Sequence, residues 1–158
     1  MTYDTFKAFY PQVLATMKSS TIAAMTDAQI ESFLNDLVIR AIAAFRFPKV
    51  SLAYEAIDES GDGNIVYTFT NPSTVTQREI NVLLALVKMY WLEQQKDDEE
   101  LFETLYYDRD VKTFSRGNMM KSLKDNYELA KKNAKTAQYD YSRIAADGSS
   151  GLGDIYVE

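Results

Sequence analysis

The 158-residue sequence contains no cysteine and no histidine. Their absence removes disulfides, thiolate nucleophiles, Cys/His zinc sites, histidine general bases and Ser-His-Asp triads together, and with them most common enzyme chemistries. An excess of positive charge is missing as well. Seventeen basic side chains against 23 acidic ones leave a formal charge of -6, so the chain gains no general electrostatic affinity for nucleic acid. No stretch reaches the roughly 18 apolar residues of a membrane span, and Met1-Thr2-Tyr3-Asp4 lacks the basic and apolar regions of a leader. These absences point to a soluble protein made and kept in the cytosol, with no membrane partner.

What is present is enough apolar material for a core. Hydrophobic residues make up 46% and aromatics 13%, enough to offset the entropy of ordering one domain. Phe6, Phe9, Tyr10, Val13, Leu14 and Met17 share one helical face. Pro11 either kinks that helix or opens a shorter one. Thr26-Asp27-Ala28-Gln29 is a capping box, and Ile30, Phe33, Leu34, Leu37, Val38, Ala41, Ile42 and Phe45 continue its helix to about Phe47, where Pro48 ends it. Val50–Ile57 and Asn64–Thr70 are strand-like runs around a Gly/Asp turn, which predicts a β-hairpin.

A second capping box, Thr76-Gln77-Arg78-Glu79, opens a helix that is apolar almost all round through Leu92 and therefore belongs at a centre. A separate short acidic helix is expected from about Asp97 to Tyr106, then a turn at Tyr107–Asp110. Ser115 is read as the cap of the last helix, about Arg116 to Tyr141. There Met120, Leu123, Tyr127, Ala130, Ala134, Ala137 and Tyr141 alternate spacings of three and four, a narrow seam suited to one close helix contact. The fold class expected is mainly α: a bundle of about four to five helices with one small hairpin insertion, over residues 1–143. Residues 144–158 form a Gly/Ser linker and an extended arm.

Charge is segregated along the chain. Glu93–Asp110 holds eight acids against two bases, and Lys112–Lys135 holds seven bases against two acids. Four consecutive acids at Asp97–Glu100 point around a helix rather than converging on a metal. The lysine face lacks interleaved aromatics and arginines, which fits protein salt bridges better than phosphate binding. Asp58-x-Ser60-x-Asp62-Gly63 begins like a Ca²⁺ loop, but position twelve is Phe69 and the flanks are strand-like, so it reads as a hairpin turn. Gly148-x-x-Gly151-x-Gly153 reads as a linker, not a phosphate loop. Beyond it, Ile155-Tyr156-Val157 are strand formers with nothing local to pair with, either a frayed terminus or a peptide suited to delivery onto another chain by a flexible tether.

The layout of amphipathic helix, hairpin, buried helix ending Met89-Tyr90-Trp91-Leu92, then Asp110-Val111-Lys112-Thr113-Phe114-Ser115-x-x-Asn118, and a last helix ending Tyr139-Asp140-Tyr141-Ser142-Arg143 resembles the small neck proteins of tailed bacteriophages. These are head-to-tail connector, or adaptor, proteins, and the resemblance covers roughly Ile22 to Arg143. It implies a non-enzymatic virion structural protein, made in the host bacterial cytoplasm and built into the neck as a ring, commonly of twelve, under the portal. The partners implied are the portal, neighbouring copies, and tail or other neck proteins, with DNA only as passing cargo. Leu152, Ile155, Tyr156 and Val157 would form the docking arm. Asp98, Glu99 and Glu103 would meet Lys124, Lys131 and Lys135 of a neighbour. No catalytic residue, cofactor or metal is expected. Other readings are a virion ring or tail-completion protein elsewhere, or a cytosolic helical interaction module.

Overall fold

The computed structural model describes residues 4–17, 25–58, 61, 65–106 and 114–143. Within them the chain is a mainly helical bundle carrying one two-stranded antiparallel hairpin. A 3-10 turn at Phe6–Phe9 leads into α1 (Tyr10–Thr16). Pro11 lies in the first turn of α1, where its missing N–H leaves no helical hydrogen bond unmade, so the shorter helix is the one that forms.

α2 spans Asp27–Ala44 and is capped as its sequence requires. The Thr26 amide donates to Gln29 Oε1 at 2.9 Å, and the Gln29 amide to Thr26 Oγ1 at 3.4 Å. Its buried face is Leu34, Leu37, Val38 and Ala41, and Phe45 beyond its end is buried too. The hairpin pairs β1 (Tyr54–Asp58) with β2 (Ile65–Phe69), in the register Tyr54 with Phe69 through Asp58 with Ile65. In its turn, the Gly61 amide donates to the Asp58 carboxylate at 2.8 Å, with Gly61 in the left-handed region at φ 69°. The hairpin stays attached because Phe6 enters a ring cluster with Tyr54, Tyr67 and Phe69, at centroid separations of 5.3, 5.4 and 5.1 Å. The backbone joins in, as the Phe69 amide donates to the Asp4 carbonyl at 3.0 Å.

α3 runs without a break from Gln77 to Tyr106. The separate acidic helix expected at Asp97 is therefore its second half, since no proline or glycine intervenes after Leu92 to end it. Ile80, Val82, Leu83, Leu86, Val87, Trp91 and Leu92 are buried, which makes α3 the central element. α4 spans Phe114–Arg143 and starts ahead of Ser115, which lies inside the helix instead of capping it. The narrow seam packs against α3 of the same chain: Met120, Ala130, Ala134 and Tyr141 are buried, with Leu123, Tyr127 and Ala137 half-buried. Ala130 and Ala134 allow the two backbones to come close. The turn at Tyr107–Asp110 and the Gly/Ser linker lie outside the described residues.

Candidate interaction surface

The α3–α4 pair is locked by two tyrosines of the seam. The Tyr141 hydroxyl donates to Glu79 Oε1 at 2.7 Å and the Tyr127 hydroxyl to Glu93 Oε1 at 2.9 Å, so α4 descends as α3 rises. Glu79 is 4% exposed. Its other oxygen, Oε2, accepts from the Thr76 amide at 2.7 Å and the Thr76 hydroxyl at 2.5 Å, the carboxylate half of a capping box, while Thr76 Oγ1 accepts from the Arg78 amide at 3.3 Å. Burial pushes its pKa up, yet the bonds from Thr76 and Tyr141 outweigh burial and hold it below the ordinary value. Burial and the bond to Glu79 push the Tyr141 phenol up to about 12. Burial also raises Tyr127, reinforced by Glu93.

The same tyrosine ties down the chain between α2 and β1. The Lys49 amide donates to the Tyr141 hydroxyl at 3.1 Å, the Arg46 amide to Gln138 Oε1 at 2.7 Å, and Phe45 meets the Tyr141 ring edge-on at 5.1 Å. Between these two anchors stands Phe47. It has φ 58°, in the region that crowds a Cβ, and it is 80% exposed. A bulky aromatic held in that conformation and turned to solvent is an outlier on both counts.

Phe47 borders an open groove of about 880 Å³ walled by the end of α2, by α3 and by α4. Phe47, Met89 and Tyr139 contribute to its apolar surface over a floor that includes buried Leu86 and Ala134, and Lys131 and Lys135 form its basic edge. A second groove of about 640 Å³ lies on the other side of the α3–α4 pair, with Trp91, Leu123 and Leu129 among its walls.

Lys124, Lys131 and Lys135, seven and four residues apart, fall within about 40° of one another around α4 and form a stripe beside the seam. Lys124 and Lys135 are exposed, whereas Lys131 is half-buried. Lys131 stands 3.9 Å from Glu128 and its ammonium lies 5.4 Å from the centre of the Tyr127 ring. Asp98 is exposed on α3. The tyrosine register puts it level with Ser122, at the same end of the helix pair as Lys124. The acidic and basic segments thus run side by side in one chain. Glu99 and Glu103 lie on the α3 helix, and their side chains fall outside the described set, as do Leu152, Ile155, Tyr156 and Val157 altogether.

Among the described residues no group of three or more acids is placed to hold a metal ion, and no helix is long and apolar enough to cross a membrane. The sequence reading missed Phe47 and the second role of Glu79. Pro48 was a usable signal for the first, because it disfavours right-handed helical geometry at Phe47. Nothing local foretells the second, whose partner is 62 residues away. Comparison with protein-family models, curated proteins and solved structures finds no match.

Proposed function

We propose that this chain is a non-enzymatic virion structural protein, a head-to-tail connector subunit that assembles as a ring under the portal and links capsid to tail. The observation that carries the reading is the groove beside Phe47, which is open among the described residues. An apolar surface with a lysine edge, distinct from the acidic end of α3, is what a subunit needs when it meets its neighbours through two different faces. The order of amphipathic helix, hairpin, central apolar helix and lysine-bearing last helix agrees with the layout on which the resemblance to phage neck proteins rests. In this reading Asp98, Glu99 and Glu103 face Lys124, Lys131 and Lys135 of the next subunit, and Leu152, Ile155, Tyr156 and Val157 form an arm that docks on the portal or an adjacent copy. The net charge of -6 suits a lumen through which DNA passes without being held.

The test is to mix the purified chain with portal and image the product by electron microscopy. Rings seated on portal are expected. Deleting Gly151–Glu158 should abolish incorporation while leaving helicity unchanged, and an arm-deleted chain that still assembles on portal would remove the arm from the mechanism. A full-length chain that forms no assembly with portal would sink the connector reading itself.

A further inference from the structure

We propose that the groove walled by α2, α3 and α4 is a peptide-binding surface whose occupant, in the free chain, is the chain's own segment Leu152–Val157. This rests on the proposed function only in taking that segment as the adhesive part of the molecule.

The groove defines the chemistry of its ligand. Its apolar lining and the exposed Phe47 ask for aliphatic and aromatic side chains. Among the described residues its charged side chains are Arg46, Lys131 and Lys135 against Glu93, and Glu93 already accepts the Tyr127 hydroxyl. An apolar peptide with acidic flanks therefore complements it. Leu152-Gly153-Asp154-Ile155-Tyr156-Val157-Glu158 is such a peptide, with four apolar side chains, two acids and no base.

Dimensions agree with chemistry. Along α4 the groove extends from Tyr127 to Ser142, about 22 Å at helical rise. Six extended residues cover about 20 Å. α4 ends at Arg143, next to Ser142 at the mouth of the groove. The eight residues 144–151 can span at most roughly 26–29 Å, enough to reach the Tyr127 end of the groove, and Gly148 and Gly151 permit the reversals that let Leu152–Val157 run back toward Ser142, with Glu158 at the end that holds Ala43 and Arg46. Attachment this close gives the segment an effective concentration on the order of millimolar at its own groove. In dilute solution that exceeds the concentration of any second copy, which is why the occupant is assigned to the same chain.

The chain has no cysteine, so an introduced pair reports proximity without interference. Two full-length variants are compared under mild oxidation. One carries Glu158→Cys with Ala43→Cys, on the α2 wall of the groove; the other carries Glu158→Cys with Ala28→Cys, at the opposite end of α2. Both alanines are exposed, and far-UV circular dichroism checks the fold. The Ala43 pair is expected to close at least about tenfold faster than the Ala28 pair, at a rate independent of protein concentration. Adding Lys135→Glu, or raising salt, should slow closure severalfold. Equal rates for the two pairs would overturn the proposal. So would disulfides that form only between chains and increase with concentration, since the groove would then belong to a neighbour's segment. Failure of the connector reading is distinguishable: the full chain would not assemble on portal, while the disulfide pattern stayed as expected.

Discussion

Replacing Tyr141 with phenylalanine removes one oxygen and keeps the ring that packs edge-on against Phe45. That oxygen donates to Glu79 at 2.7 Å and accepts the Lys49 amide at 3.1 Å. Lys49 is exposed, so water takes over its amide at little cost. Glu79 Oε1 has no such recourse, because the residue is 4% exposed. A hydrogen bond to a charged group contributes about 1.5–3 kcal/mol, and leaving its acceptor buried adds to the loss. We expect Tyr141→Phe to cost about 2–3 kcal/mol, measured by urea unfolding followed with far-UV circular dichroism, and to lower Tm by roughly 5–10 °C in a chain of this length. Tyr139→Phe, at a tyrosine 60% exposed, is the control and should change little. A double-mutant cycle with Glu79→Gln should return a coupling of about 1 kcal/mol or more.

The pH dependence gives an independent reading of the same contact. The Tyr141 phenol rises from 10.0 to about 12 on folding, so its contribution is complete below pH 10 and lost as pH climbs toward 12, where the unfolded chain is deprotonated first. In Tyr141→Phe the decline across that window should be shallower by up to about 2–3 kcal/mol. Glu79 acts at the other end: its lowered value contributes stability above the ordinary carboxylate range, lost as pH falls through the folded value. A Tyr141→Phe cost below about 0.5 kcal/mol, with additive behaviour in the cycle, would refute the buried bond as the lock between α3 and α4.

Phe6→Ala empties the centre of the ring cluster that joins the N-terminal turn to the hairpin, and Phe6 is fully buried; a loss of about 3–5 kcal/mol in chemical unfolding is expected. Ala134→Leu forces three carbons into the buried α3–α4 seam and should cost about 1–3 kcal/mol, with helicity retained at low denaturant. Phe47→Gly should do the opposite and stabilise the chain by roughly 0.5–1 kcal/mol, because glycine relieves the left-handed backbone by more than it adds in unfolded-state entropy. The same substitution should slow closure of the Ala43–Glu158 disulfide, so that a gain in stability accompanies a loss of docking. A destabilised Phe47→Gly variant would show that the exposed ring supports the fold.

Much of the architecture is written in short-range signals. Caps form at both Thr26 and Thr76 because a cap is satisfied within three residues, and the hairpin forms because its turn residues and strand formers are adjacent in the chain. The same locality explains the errors. The acids after Leu92 look like a fresh helix start, yet a start signal is also compatible with an uninterrupted helix, and with no proline or glycine between Leu92 and Tyr106 α3 continues through it. Of the candidate contact residues, the chain order gives the lysine stripe at once, since spacings of seven and four return to one face. It does not disclose that Lys131 is drawn toward Glu128 and Tyr127, or that a groove opens beside Lys135.

The amino-acid order alone establishes which residues of each helix must leave water, where α2 and α3 begin, and that thiol, imidazole and disulfide chemistry are absent. What covers each apolar face is another matter, because periodicity describes one element and burial requires two. The seam of α4 could have met a neighbouring molecule; it meets α3, and its tyrosines are committed to Glu79 and Glu93. Glu79 reads in the sequence as half of a cap, and folding brings Tyr141 to it across 62 residues. Phe47 reads as the end of a helix; the fastening of Arg46 and Lys49 on either side turns it outward beside a groove. Pairing between distant segments is chosen by the sum of many weak contacts, and no window of the chain contains that sum.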